Sequence, residues 1–365
     1  MSEWQTFCLK DLGKIVGGAT PSTNNPKNYG NKIAWITPKD LSTLQGRYIK
    51  KGSRSISRLG FKLCSTFLLP KHAILFSVRA PIGYTAIISK RSCTDRGLMG
   101  LVPNKKIYFE FLYYLLKYHK HNISNMGVGT TFKGISKPAL GLFKVKIPPT
   151  YYEQQKIART LSILDQKIEN NHKINELLHT LAYKIYEYYF KYKPKNAKLE
   201  QIIIENPKSS IMVKNAQKTQ DKYPFFTSGD NILSYPKAII DGRNCFLNTE
   251  GNAGIKFYVG KASYSTRTWC ICANEFSDYL YLLLSSIKTH INQSFFQGTS
   301  LKHLQKNSLK KYPIYMPSAH EIKKFNQIIM PLLTLISINT RTSKKLEQIR
   351  DFLLPLLLKQ QVKPQ

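Results

Sequence analysis

GTTFKGISKPALGLFKVKIPP, residues 129–149, and GTSLKHLQKNSLKKYPIYMPS, residues 298–318, are two copies of one segment. Gly129 pairs with Gly298, Thr130 with Thr299, Lys133 with Lys302, Leu140 with Leu309 and Pro148 with Pro317, at a constant shift of 169 residues. The likeness extends upstream, where FEFLYYLLKYHKHNI (109–123) parallels FSDYLYLLLSSIKTHI (276–291). Self-similarity over this distance means that one structural unit has been used twice.

Each copy runs into a helical pattern. In the first, steps of three and four pass through Ile157, Leu161, Leu164, Ile168, Asn171, Asn175, Leu178, Ala182, Ile185 and Tyr189. In the second they pass through Phe325, Ile328, Leu332, Leu335, Asn339, Thr342, Leu346, Ile349, Leu353 and Leu356. Such spacing predicts coiled-coil seams. Both seams turn polar near the middle, at Asn171/Asn175 and at Asn339/Thr342, where two helices paired along their length would cross. Buried Asn there fixes register at a cost in stability. Pro331 and Pro355 are expected to bend the second helix.

Short β-like runs precede each helix. They are IAWITP (33–38), AILFSV (73–78), TAIIS (85–89) and FKVKIPP (143–149) in the first half. The second half has YPFFTSG (223–229), NCFLNT (244–249), KFYVG (256–260), TWCICA (268–273) and YPIYMPS (312–318). The expected fold is α+β: two mixed α/β heads, at 1–150 and 194–318, separated by two long antiparallel coiled-coil helices, at 151–193 and 319–361, with an internal pseudo-twofold repeat. The heads diverge more than the helical regions, as expected for a shared scaffold carrying two unlike recognition surfaces.

Charge narrows the class of partner. The 365 residues carry 55 Lys+Arg against 21 Asp+Glu, a formal net charge of +34. A surface with that excess attracts polyanions, nucleic acid first, because neutralising phosphates releases counterions. The six cysteines are scattered, without a paired metal-ligand spacing, as expected for thiols in a reducing cytoplasm. No apolar run approaches the ~20 residues needed to span a bilayer.

Catalytic constellations are missing. GIKFYVGKA (254–262) fails as a phosphate loop because the Gly254–Gly260 spacing is too long and Ala262 stands where a magnesium-holding hydroxyl is needed; a hairpin is expected instead. IPPTYY (147–152) lacks the Asn of an amino-methyltransferase tetrad. His119 and His121 have no nearby carboxylate and no ligand spacing, which favours solvated or phosphate-facing side chains over a metal site. Asp241 and Glu250 lack the lysine that a nuclease site would add.

Reading bases requires polar side chains that reach base edges from rigid elements. In the first head, RYIKKGSRSISR (47–58) supplies Arg47, Lys50, Lys51, Arg54 and Arg58. Arg79 and Arg96 follow near strand ends, and Thr130, Thr131 and Lys133 lie in the repeated Gly-Thr loop. The second head offers Asn231, Arg243, Asn248, Asn252 and Arg267, with Thr299, Ser300 and Lys302 in the matching loop. A turn requirement alone would also explain the repeated Gly129 and Gly298.

LGKIVGGATPSTNNPKNYGNKIAWITPKDLS (12–42), with its Gly-Gly-x-Thr-Pro turn and Trp-Ile strand, and IPPTYYEQQKIARTLSILDQKI (147–168) resemble the specificity subunits of type I restriction-modification enzymes. The second junction, MPSAHEIKKF (316–325), keeps Pro317 and Glu321 but lacks the Glu-Gln pair. The resemblance implies a non-catalytic subunit with two target-recognition domains, each reading half of a split site in double-stranded DNA, and helices that set the spacing. Two modification subunits using S-adenosylmethionine would dock on it, and through them ATP-driven, magnesium-dependent restriction subunits. Tyr151, Tyr152, Gln154 and Gln155, near the junction, are candidates for those contacts. A related type II assembly and a nonspecific nucleic-acid-binding adaptor are the alternatives.

Overall fold

A computed structural model describes residues 3–79, 81–129, 133–216 and 222–364. It divides into two compact units, Met1–Glu169 with Ile349–Gln365 and Asn170–Gln348. The division falls inside the two long helices, Tyr151–Phe190 and Ala319–Leu358, and not at the segment ends read from the sequence. The cause is burial: each head packs its apolar surface on the helix turns beside it.

The strands of the first unit are β1 (Gln5–Cys8), β2 (Gly13–Gly17), β3 (Tyr29–Ile36), β4 (Tyr48–Ile49), β5 (Arg54–Ile56), β6 (Ile74–Ser77), β7 (Thr85–Ile88), β8 (Cys93–Thr94), β9 (Leu98–Pro103) and β10 (Lys144–Ile147). They form a sheet in the order β2-β9-β6-β7-β4, a second in the order β5-β3-β8, and a β1-β10 ribbon. Strand alternation assigns the faces. Ile74, Phe76 and Ile87 point into a core shared with the helix Phe109–Tyr118, while Leu75, Ala86 and Ile88 point into a second core with Ile36 and Leu41.

The second unit contains β11 (Ala197–Lys198), β12 (Ile204–Glu205), β13 (Tyr223–Phe226), β14 (Leu233–Tyr235), β15 (Arg243–Asn248), β16 (Ile255–Val259), β17 (Ser263–Tyr264), β18 (Thr268–Cys272), β19 (Phe296–Gln297), β20 (His303–Leu304) and β21 (Pro313–Ile314). Its sheets run β12-β18-β15-β16 and β14-β13-β17, with ribbons β11-β21 and β19-β20. This repeats the first head's plan without a counterpart of β4. Register fixes the equivalences: Ile74 faces Leu101 and Ser77 faces Leu98, as Cys245 faces Ile271 and Asn248 faces Thr268. Residues 255–259 pair antiparallel with β15, so the failed phosphate-loop stretch is indeed part of a hairpin.

Both long helices open on a side-chain cap. Glu153 N donates to Thr150 Oγ1 at 3.2 Å, and Ser318 and Glu321 form the reciprocal box, with Ser318 N to Glu321 Oε2 at 3.0 Å and Glu321 N to Ser318 Oγ at 3.3 Å. The second helix continues through Pro331 and Pro355. Within the first unit, Ile157, Ala158 and Leu161 share a core with Leu354, Leu357 and Leu358. Within the second, Ala182, Tyr186 and Phe190 share one with Ile322, Phe325, Ile329, Leu333 and Ile336. Asn171 Nδ2 reaches Ser343 Oγ at 3.1 Å, and Asn339 Nδ2 reaches Asn175 Oδ1 at 2.9 Å, so the helices run antiparallel there.

The seam on the first helix is as read from the sequence at Ile157, Leu161 and Ile168, which are buried, with Leu164, Asn171 and Leu178 half-buried. On the second helix Phe325 is buried as read, but from Ile328 on the line is displaced. Leu335 and Ile349 are exposed, at 42% and 39%, as are Ile328 and Thr342, while Leu332, Asn339 and Leu346 are half-buried. The buried line runs one residue later through Ile329, Leu333, Ile336 and Ser343. The stretch IIMPLLTLISI (328–338) offers two apolar lines at helical spacing, and periodicity alone does not choose between them.

Candidate nucleic-acid interface

In both heads the same loops meet at one edge of the larger sheet. In the first, Val78 N donates to Gly97 O at 2.9 Å, and Arg79 bridges to Gly134. This joins the turn after β6, the β8–β9 link and the repeated loop, placing Arg79, Arg96 and Lys133 on exposed positions around it. In the second, Thr249 N donates to Arg267 O at 3.2 Å, Gly251 N donates to Lys302 O at 2.8 Å, and Glu250 bridges to His303. Asn252, Arg267, Thr299, Ser300 and Lys302 are exposed on that edge.

The turn carrying exposed Asn231 joins the same edge. Ser228 Oγ donates to Arg267 O, and Asn248 Nδ2 donates to Ser228 O at 2.9 Å and Asn252 O at 3.1 Å. Beneath it Lys256 Nζ donates to Thr227 O at 2.7 Å and Gly229 O at 2.6 Å, and burial pushes its ammonium below the ordinary lysine range. Asn248 is therefore a buried brace and not a side chain offered to a base. Ser77, its register equivalent, does the same work: its hydroxyl donates to Pro81 O and accepts from Tyr84 N, both at 2.8 Å.

Two of the arginines read as base contacts are committed inside the protein. Arg47 is 2% exposed; its Nη1 donates to Glu110 Oε1 at 3.0 Å and its Nε to Glu169 Oε1 at 3.1 Å. Arg243 forms a fork with Asp278, whose carboxyl burial holds above its usual range, and Nη1 donates to Thr334 Oγ1 at 2.9 Å. Composition shows a basic cluster but not a carboxylate that the fold brings up from 35 to 122 residues away. A signal for one partner was present: Glu110 and Asp278 stand in the first turns of the repeated helices Phe109–Tyr118 and Ser277–Ser286.

Lys50 and Lys51, in the link from β4 of the larger sheet to β5 of the smaller one, and Arg54 and Arg58, on and after β5, are exposed away from the loop edge, and the Arg54 guanidinium lies 4.2 Å from the Tyr29 ring centroid. Arg267, 64% exposed at its side chain, pairs with Glu250 at 3.2 Å. Thr130 and Thr131 lie outside the described residues. His119 is half-buried against the Phe143 ring, with burial lowering its basicity, so only His121 is solvent-facing. Gln154 is likewise buried, accepting from Tyr108 N at 2.8 Å and donating to Lys106 O at 3.0 Å. Among the described residues no group of three or more His, Cys, Asp or Glu is placed to hold a metal, and no helix is long and apolar enough to cross a membrane.

A repeated pair of heads, each with a polar and basic loop edge, defines a duplicated nucleic-acid-recognition protein. The type I restriction modification DNA specificity domain matches residues 1–180 and 195–348, and the chain belongs to that family of specificity subunits, which recognise DNA and carry no catalysis of their own. It is 29% identical to the type I restriction enzyme MjaIX specificity subunit of Methanocaldococcus jannaschii over 98% of this chain and 93% of that one. It is 31% identical to the HindI specificity subunit of Haemophilus influenzae over 31% of this chain and 24% of that one. The crystal structure of a type I restriction-modification S subunit from M. genitalium has the same fold, with a TM-score of 0.63, 17% identity, and coverage of 97% of this chain and 96% of that one.

Proposed function

We propose that each head reads one half of a split double-stranded DNA site through its loop edge, and that the long helices set the spacing and dock two modification subunits. The observation that carries this reading is the repetition of one loop edge, braced by equivalent residues Ser77 and Asn248 and sharing Lys133 and Lys302, with unlike side chains at other equivalent positions: Arg79 in one head where the other has Glu250, and Gly97 where the other has Arg267. A constant frame with changed contents suits two different half-sites.

Docking is supported by apolar side chains left on the helix surfaces. In the second unit Leu177 (71% exposed) stands with Ile174, Leu181 and Tyr188 on the first helix, and Leu335 with Ile338 on the second; in the first unit Phe352 (68%) stands with Ile163 and Ile349. Amphipathic helices of a partner would cover them. S-adenosylmethionine would be held by the modification subunits, and ATP and magnesium by restriction subunits joining the cytoplasmic assembly. The test is co-expression with the neighbouring modification subunit and long-read mapping of methylated host DNA. A split motif, one half of which changes when one head is exchanged, is the expected result; uniform or absent methylation by a stable complex would refute it.

A further inference from the structure

We infer that Arg47 and Arg243 are positioning residues that pin each head, and with it the loop edge, at a fixed attitude on the long helix beside it, and that this pinning makes recognition sensitive to half-site spacing. The inference rests on the split-site reading proposed above.

In the first unit Arg47 ties three elements together. Its backbone N and its Nε both donate to Glu169 on the helix Tyr151–Phe190, at 2.8 and 3.1 Å, while Nη1 holds Glu110 of the head. Asp165, one turn earlier on the long helix, accepts from Tyr114 of the head at 2.6 Å and from Arg350 of the other long helix at 2.7 Å. Gly46, with φ +117°, lets the backbone come this close: a Cβ there would lie 2.9 Å from Glu169 Cγ.

In the second unit Arg243 does the same. It forks onto Asp278 of the head and donates to Thr334 Oγ1 at 2.9 Å and Met330 O at 3.2 Å on the helix Ala319–Leu358. Yet the two arginines are not equivalent. By register the first head's equivalent of Arg243 is His72, which stacks on Phe109, whereas Arg47 precedes β4, the strand without a counterpart in the second head. The same junction has been rebuilt from different strands onto the same carboxylate position.

Simple adhesion does not require this. Buried ion pairs are often no more stabilising than well-packed apolar groups. A guanidinium fork shared between head and helix has one geometry, whereas an apolar contact tolerates sliding. What the clamp adds is a defined orientation.

The experiment uses the full chain assembled with its modification subunit. Glu169→Ala and Thr334→Val remove acceptors on the helices and leave Arg47–Glu110 and Arg243–Asp278 intact; Arg243→Lys keeps the charge without the fork. Each is scored for half-motif sequence, for methylation at sites whose spacer is one base pair longer or shorter, and for thermal melting. The half-motifs are expected to stay unchanged, while preference for the correct spacer falls about tenfold, the equivalent of one charge-assisted hydrogen bond. Unchanged spacer preference in folded variants would overturn the clamp, and so would altered half-motif letters, which would make these residues readers. If the wild type shows no split motif, the functional reading itself fails, and that outcome is separable because it appears before any substitution is made.

Discussion

Glu321 closes the start of the second long helix by accepting from Ser318 N and from the Tyr315 hydroxyl, with Lys193 at 3.2 Å. These donors, the Ser318 backbone first, hold its carboxyl down from an ordinary 4.5 to about 2. A carboxyl depressed on folding contributes stability that is complete above its unfolded value and lost as pH falls through the folded one. Glu321→Ala should therefore cost about 1 kcal/mol at neutral pH, the usual size for a helix cap. The difference in melting temperature from wild type should shrink between pH 4.5 and 2. A gap that stays constant over that interval would show that lost packing, not the charged cap, is responsible. The Ser-x-x-Glu spacing that carries this cap is local, yet Glu321 was read from the sequence only as part of the junction before the helix. The role of Gly298 was legible only as an alternative: its φ of +140° and the 2.3 Å approach of a built Cβ to Leu301 O show a backbone requirement. The burial of Arg47 is not legible in the sequence, because its partner Glu169 lies 122 residues away.

At the scale of elements, the polar step in the helix pair has partners. Asn175 Oδ1 accepts from Asn339 Nδ2 at 2.9 Å, and Asn175 Nδ2 points to Ile336 O at 3.3 Å and Thr340 Oγ1 at 3.4 Å. Removing one amide leaves the other without its partner, and because both are half-buried the cost is about 1 kcal/mol, the low end for a polar group left unpaired. Asn175→Leu alone should thus lower the melting temperature, and adding Asn339→Leu should recover most or more of the loss, since polar seam residues give up stability for register. Additive losses in the double variant would mean that the two amides act separately. Both Asn residues could be placed in the seam from spacing, because a polar residue interrupting an apolar line is visible in one dimension. The line itself was visible only where alternatives were absent. On the first helix Ile157, Leu161 and Ile168 had no competing stripe, whereas Ile328 and Ile329, or Leu332 and Leu333, present both choices, and the packing of the head selects the second of each pair. Strands β2 and β9, GKIVG and LMGLVP, escaped the sequence reading because glycine interrupts their alternation, although the sheet buries their apolar residues.

The net charge of +34 is a property of the whole molecule and acts on DNA of any sequence. It should be separable from the loop edges. Lys50, Lys51 and Arg58 are exposed cations away from the loop edge of the first head, and replacing them touches no hydrogen bond or ion pair described above. If they face phosphates, substituting all three with Ala should weaken binding uniformly across sequences and flatten the salt dependence of log K by about 0.9 for each contact removed, leaving the preferred half-site unchanged. Arg267→Ala, on the loop edge, should instead relax discrimination in one half-site, by about 1–3 kcal/mol if it forms a bidentate base contact, with at most a small change in salt slope. Titrating binding of the assembled complex from low to high salt, on its own site and on a scrambled one, distinguishes the two effects. A triple variant with an unchanged slope would mean that these cations face solvent, and that the DNA path runs along the loop edges alone. An Arg267 variant that loses affinity equally for both DNAs would assign that guanidinium to the backbone. The division matters because charge supplies attraction to any duplex, while a small set of side chains on a repeated frame can choose between sites only if attraction and choice reside in different residues.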